Sequence, residues 1–160
     1  MPTPDAFHWG PPHPIDGVIE PLLWGRSRYS ILRIPSALVR AASDVGTRRV
    51  SGQLDGVEVN LALTRAPVID DTFVWTGASL LRRMRLEVGD PVHGALAPVD
   101  PDYVPLPRDV AAALSERGTR GRWDARPPSE RRRMLVPIES AGTDTTRRRR
   151  IVALLDEVGG

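Results

Sequence analysis

The stretch RRVSGQLDGVEVNLAL, residues 48–63, decides how the first half of the chain is read. Two β-rich runs, 48–54 and 57–63, flank Asp55-Gly56. An Asp-Gly pair supplies the positive φ angles that a tight type I′ turn requires, so the spacing predicts an antiparallel hairpin. Along the first run Val50, Gly52 and Leu54 fall on one side and Arg49, Ser51 and Gln53 on the other.

Working outward, the same period of two recurs. VIEPLLW (18–24) and RYSILRI (28–34) lie either side of a turn-like Gly-Arg-Ser, TFVWTG (72–77) reads as a further strand, and PVHGALAPV (91–99) as a sixth. Pro91 opens that last run, where a proline costs a ladder least. Short helices are expected at 36–42, with Ser36 in the N-cap position, and across 78–90. The residues before Gly17 are rich in Pro, Gly and His and are expected to form an irregular arm, 1–17.

After DPDYVPLP (100–107) the period becomes helical. RDVAAALSER (108–117) places Val110, Ala113 and Leu114 on one stripe and stops at Gly118, a natural C-cap. A linker, 118–128, carries one large apolar residue, Trp123, which is expected to be buried. SERRRMLVPIESAG (129–142) opens on Ser129 as N-cap and is expected to kink or break at Pro137. A final helix should run from about Thr145 to Val158. The predicted class is α+β: a six-stranded β-barrel over 18–100 and a three-helix module over 105–158.

Several function classes are excluded by composition. The chain of 160 residues has no cysteine, so thiolate nucleophiles, disulfides and cysteine-ligated metals are ruled out. No serine lies in a Gly-x-Ser-x-Gly setting. His8 and His13 occupy the arm and His93 an expected outward strand position, which falls short of the fixed ligands a metal site needs. Asp70-Asp71, the one adjacent pair of aspartates, reads as turn chemistry. No catalytic residue, metal or cofactor is therefore expected. The amino-terminal residues lack a basic start followed by an apolar core, and no run is long enough to span a bilayer. The expectation is a cytoplasmic protein, monomer or homodimer, without membrane contact.

All 22 basic residues are arginine. Between Arg126 and Arg150 they outnumber the acids, and seven of them crowd two expected helix starts, where backbone N–H groups also favour an anion. Arg131, Arg132, Arg133, Arg149 and Arg150 are thus the candidates for binding an anion or nucleic acid, against a solvated face of local ion pairs. Helical phase places Arg147 and Arg148 beside the stripe Ile151, Leu154, Leu155 and Val158, each expected to meet a carboxylate, and sends Arg149 to water. A small-ligand pocket at the seam of barrel and helices would be lined by Trp75, Arg83 and Trp123.

YSILRIP (29–35), RRVSGQLDGVEVNLAL (48–63) and LLRRMRLEVGDPVHGAL (80–96) together resemble, in order and spacing, a bacterial domain of unknown function. VPLPRDVAAAL, ARPPSERRR and TTRRRRIVALL resemble the helical module called bacteriocin-protection, YdeI/OmpD-associated. The first resemblance implies a double-split β-barrel, similar in architecture to dimeric AbrB-like and MraZ-like DNA binders. The second implies a non-catalytic role of the bacteriocin-protection or stress-tolerance type. Neither assigns a catalytic residue, and a fold does not carry a function with it.

Overall fold

A computed structural model describes residues 7–160. The chain divides into two compact units, one ending at Pro101 and the other running Asp102–Gly160. The class is α+β, with eight strands and six helices among the described residues.

In the first unit, β4 (Arg49–Leu54) and β5 (Val57–Ala62) pair antiparallel with Leu54 opposite Val57. Asp55 and Gly56 both hold positive φ, at 47° and 77°. The Asp-Gly hairpin is therefore formed as its residues require.

The strands number eight rather than six, and they group as two four-stranded antiparallel sheets, β1-β8-β4-β5 and β2-β3-β7-β6. The two additional strands are His13–Val18, most of which falls in the expected arm, and Thr64–Ala66, which follows the expected run 57–63. The run 18–24 divides at Ile19, so that β1 (His13–Val18) ends in one sheet and β2 (Glu20–Trp24) begins in the other. At Leu63 the chain passes likewise from β5 to β6 (Thr64–Ala66). Ile19 is fully buried and its backbone is held by Asp90 and Gly89.

Of the expected arm, residues 1–6 lie outside the described part, and His13–Gly17 belong to β1. Pro14 does not forbid this strand because β1 is a sheet edge, where a missing N–H breaks no inner ladder. Its partner β8 (Pro91–Pro98) is remote in sequence, and Ile15 of β1 is buried.

β3 (Ser27–Arg33) and β7 (Ile69–Trp75) are the inner strands of the second sheet. One core joins both sheets: Ile15, Leu32, Val50, Leu54, Val74 and Leu96 meet there with Leu38 of α1 (Ser36–Asp44) and Met84 of α2 (Ala78–Met84). Pro35, not Ser36, occupies the cap of α1, and no side chain caps it. Two glycines allow β4 and β8 to approach. A Cβ on Gly94 would lie 2.0 Å from the Gln53 carbonyl oxygen, and one on Gly52 2.1 Å from that of Ala95.

The second unit has four helices where three were expected: α3 (Arg108–Glu116), α4 (Arg120–Asp124), α5 (Pro128–Glu139) and α6 (Asp144–Gly159). The extra one, α4, lies in the presumed linker and is fastened by Trp123, which is 1% exposed. Its indole packs among Val110, Leu114, Leu135, Ile138 and Leu154 in the helical core. Helix α5 starts at Pro128, with Pro127 as its cap, so Ser129 is already helical. It also continues through Pro137 rather than breaking there. The carbonyl released by the missing N–H belongs to Arg133, an exposed residue, and water can satisfy it. Among the described residues no helix is long and apolar enough to cross a membrane.

Candidate functional site: the arginine-bearing helices

Helix α6 begins with a built cap. Thr143 Oγ1 accepts the Thr146 N–H at 3.2 Å, and Asp144 places negative charge in the first turn. Both offset the positive end of a helix that goes on to carry four arginines. Its dry side is Ile151, Leu154, Leu155 and Val158, all buried.

Arg147 lies beside that stripe and meets a carboxylate, as helical phase predicts. Its Nε and Nη2 donate to the two oxygens of Asp109 at 2.7 and 2.9 Å, a bidentate pair. Its Nη1 donates to the Ile138 carbonyl at 3.2 Å. The hydrogen bond from Arg147 pulls the Asp109 carboxyl below its ordinary pKa despite partial desolvation. The same bond raises that of Arg147.

Arg148 does not follow the expectation. It is exposed and has no carboxylate partner. Phase brings it near the stripe, but no neighbouring helix presents an acid there. Arg149 is exposed, as expected. Arg150 turns inward, where its Nη1 donates to the Pro137 carbonyl at 2.6 Å and reaches Ser140 Oγ at 3.4 Å.

The cluster on α5 divides in the same manner. Arg131 donates from Nε to the Arg126 carbonyl at 3.0 Å. Arg132 donates to the Tyr103 carbonyl at 3.4 Å, and desolvation lowers its pKa. Arg133 is exposed.

Further arginines extend the pattern. Arg122 donates to the Gly159 carbonyl at 2.7 Å and Arg126 to that of Glu157 at 3.0 Å, while Arg117 pairs with Asp156 at 3.1 Å. Pro137 and Ile138 close α5, and Glu157 and Gly159 close α6. The last carbonyls of a helix have no intrahelical donor and carry its partial negative charge, so guanidinium groups there satisfy both deficits. These arginines brace helix ends.

Of the five residues expected to bind an anion or nucleic acid, Arg131, Arg132 and Arg150 are thus engaged within the chain. Arg133 and Arg149 remain open to solvent, and Arg148 joins them. Only tertiary structure reveals this sorting, because the acceptors are backbone atoms that carry no side-chain signature.

The three residues expected to line a ligand pocket each have their own surroundings within their unit. Trp123 is core, so its indole lines no surface. Trp75 is an exposed residue of β7, against Phe73 and Tyr29. Arg83 of α2 donates to the Glu58 carbonyl at 3.0 Å. Among the histidines, His93 points outward and pairs with Asp16 at 2.9 Å, and His13 Nδ1 contacts the Pro11 carbonyl. His8 Nε2 meets the buried Ser51 hydroxyl at 2.8 Å, a contact across 43 positions that no motif announces. Asp71 lies within β7, not in a loop, and shares Arg33 with Glu20. Among the described residues no group of three or more His, Asp or Glu is placed to hold a metal ion.

Residues 104–159 match the model of a family described as Bacteriocin-protection, YdeI or OmpD-Associated. That span covers all four helices of the second unit. The match does not extend into 18–100, and the resemblance of that segment to a bacterial domain of unknown function is not supported by a family match. No curated protein and no solved structure matches the chain.

Proposed function

We propose that the protein acts in bacteriocin protection or stress tolerance without catalysing a reaction, with the helices of 104–159 as a binding module. The observation that carries this reading is the family match, which coincides with a unit that has its own core around Trp123. Its polar side chains support the same view. The arginines that stand out in the sequence hold helix ends and acids of the unit itself, a use suited to a rigid presenting surface.

The test is a bacteriocin challenge of sensitive bacteria expressing the full chain, beside acid and antibiotic challenges as stress controls. Survival should rise with the intact protein and fall to the empty-vector level with Trp123→Ala, which removes the centre of the helical core. No change in survival under any challenge would overturn the reading. Protection that persists in Trp123→Ala, once that variant is shown to be unfolded in the helical unit, would move the activity away from these helices.

A further inference from the structure

We infer that β1 accepts an additional strand from an extended, basic peptide, seated in the open groove beside its free edge. The inference rests on the amino-terminal unit and is independent of the role proposed for the helices.

The ladders fix which backbone groups are turned to that edge. Alternate residues of an antiparallel strand direct their N–H and C=O groups to opposite neighbours. In β8 the His93 carbonyl accepts the Asp55 N–H and so faces β4, while the Pro98 carbonyl accepts the Trp9 N–H on the other side. Val92, Gly94 and Leu96 therefore face β1 and bond Gly17, Ile15 and His13, which lie opposite them. Pro14, Asp16 and Val18 are turned the other way. β1 ends its sheet, so no strand among the described residues continues the ladder there. In β3 the Ser30 carbonyl accepts the Thr76 N–H, and Ile34 donates to the Thr72 carbonyl, which directs both toward β7. Arg33 is turned away from β7, beyond the point where the β2 ladder stops at Glu20 opposite Ile31.

These unladdered positions share one place. Asp16, Val18 and Arg33 all line an open groove of about 540 Å³, and Ile15, Leu32, Ile34 and Pro35 give it an apolar wall. Val18 is 44% exposed, so the edge is open to solvent. Asp16 and Val18 each offer an N–H and a C=O at alternate positions, which is the pattern that the edge of another strand completes. Alternate side chains of such a strand rest on the apolar wall, and the others project over the rim.

The rim selects among peptides. Asp16 is 83% exposed in its side chain and pairs with His93 at 2.9 Å. Glu20 shares Arg33 with Asp71, at 2.9 and 2.8 Å. Three carboxylates thus stand against one arginine and one histidine, and Lys or Arg in the added strand is the complement. A second copy of β1 fits poorly. The antiparallel register that engages Pro14, Asp16 and Val18 together sets Asp16 against its own copy, and like charges directly opposite are destabilising. Pro14 also brings no donor, a common guard against pairing between like edges.

The probe is a short, end-capped, fluorescein-labelled peptide of alternating Lys and Val, titrated against the full chain by fluorescence anisotropy. It should bind, and the amide resonances of Asp16 and Val18 should shift as it does. Methylating alternate backbone nitrogens of the peptide along the edge that pairs should weaken binding about fivefold or more, since each methyl removes a donor. A Glu-Val peptide should bind less well, and Asp16→Lys should invert that preference. Val18→Pro removes an outward N–H and no ladder bond, so it should weaken binding with the fold retained by circular dichroism. If that variant unfolds, the methylated peptides test the same bonds on the parent protein. Spermine, which has the charge and none of the amides, should not displace the Lys-Val peptide.

No binding of the Lys-Val peptide would overturn the inference, as would indifference to methylation on either edge. An unchanged preference in Asp16→Lys, or displacement by spermine as effective as by unlabelled peptide, would do the same. Self-association of the parent that Val18→Pro abolishes would assign the edge to a second copy, and would overturn it equally.

Discussion

The two units use arginine to different extents. In the amino-terminal unit the sheets close over an aliphatic core, and Arg26 and Arg28 stand outside it without partners. In the carboxy-terminal unit eight of the twelve arginines donate into the chain, to acids or to backbone carbonyls at helix ends and in loops. Size explains the contrast. A small helical unit removes a smaller share of its surface from water than a larger one. Charge-assisted hydrogen bonds at helix ends supplement its core, whereas two packed sheets already satisfy their backbones through the ladders. An arginine-rich sequence is therefore not, by itself, an anion-binding one.

The sharpest way to break this comparison is to remove the apolar centre that the arginines are said only to supplement. Trp123→Ala should cost about 3–5 kcal/mol, enough to unfold the helical unit. Loss of helical circular dichroism, with amide protection retained in β4 and β8, is the expected result. A helical unit that survives the change would mean that its arginine bonds, not its core, hold it.

The sheet unit should be most sensitive where backbones approach closely. Gly94→Ala places a methyl on the Gln53 carbonyl, and an adjustment of either strand should cost about 3 kcal/mol. Chemical denaturation followed by amide protection in β4 and β8 reports it. A cost below about 1 kcal/mol would show that β4 and β8 tolerate separation.

What could be read in the sequence, and what could not, divides by distance along the chain. The Asp55-Gly56 hairpin was legible because turn chemistry and alternation sit within sixteen residues. The burial of Trp123 was legible because a large indole in a polar stretch has few other uses. Strand β1 was missed because its partner, β8, lies some seventy positions away and Pro14 reads as a breaker until the strand is known to be an edge. Helix α4 was missed because one turn and a half has no periodicity to detect. The candidate site was legible only for Arg147 and Arg149. Phase states which way a residue points, and it does not state whether an acid waits there, as Arg148 demonstrates. The inward turn of Arg150 depends on where α5 ends, which no local pattern encodes.

Arg147 tests the brace at intermediate size. Arg147→Ala should lower stability by about 1 kcal/mol, since its side chain is 29% and that of Asp109 48% exposed and solvent screens the pair. Arg147→Lys should recover only part of this, because an ammonium group cannot bond both carboxylate oxygens in one plane. The pair also imposes a pH dependence. The folded-state pKa of Asp109 is lowered, so its contribution is complete above the unfolded value of about 3.9 and is lost as pH falls through the folded one. Thermal melts of the parent should therefore weaken more steeply below pH 4 than those of Asp109→Asn. Parallel pH profiles would show that the contact is not maintained in solution.

The smallest expected effect separates brace from bystander on a single helix. Arg148 and Arg149 sit in the second turn of α6, exposed and without an acid partner. Cations near a helix start oppose its dipole, though the effect fades beyond the first turn. Arg148→Ala and Arg149→Ala should each leave stability unchanged or raise it, by no more than about 0.5 kcal/mol. Salt should erase any gain, because an exposed charge is screened within about 10 Å at moderate ionic strength. Denaturant midpoints at low and high salt decide the matter. A loss comparable to that of Arg147→Ala would mean that these side chains also hold the unit together, and the division of α6 into inward and outward arginines would have to be redrawn. If stability holds, the three arginines at 133, 148 and 149 are free to be judged by binding alone.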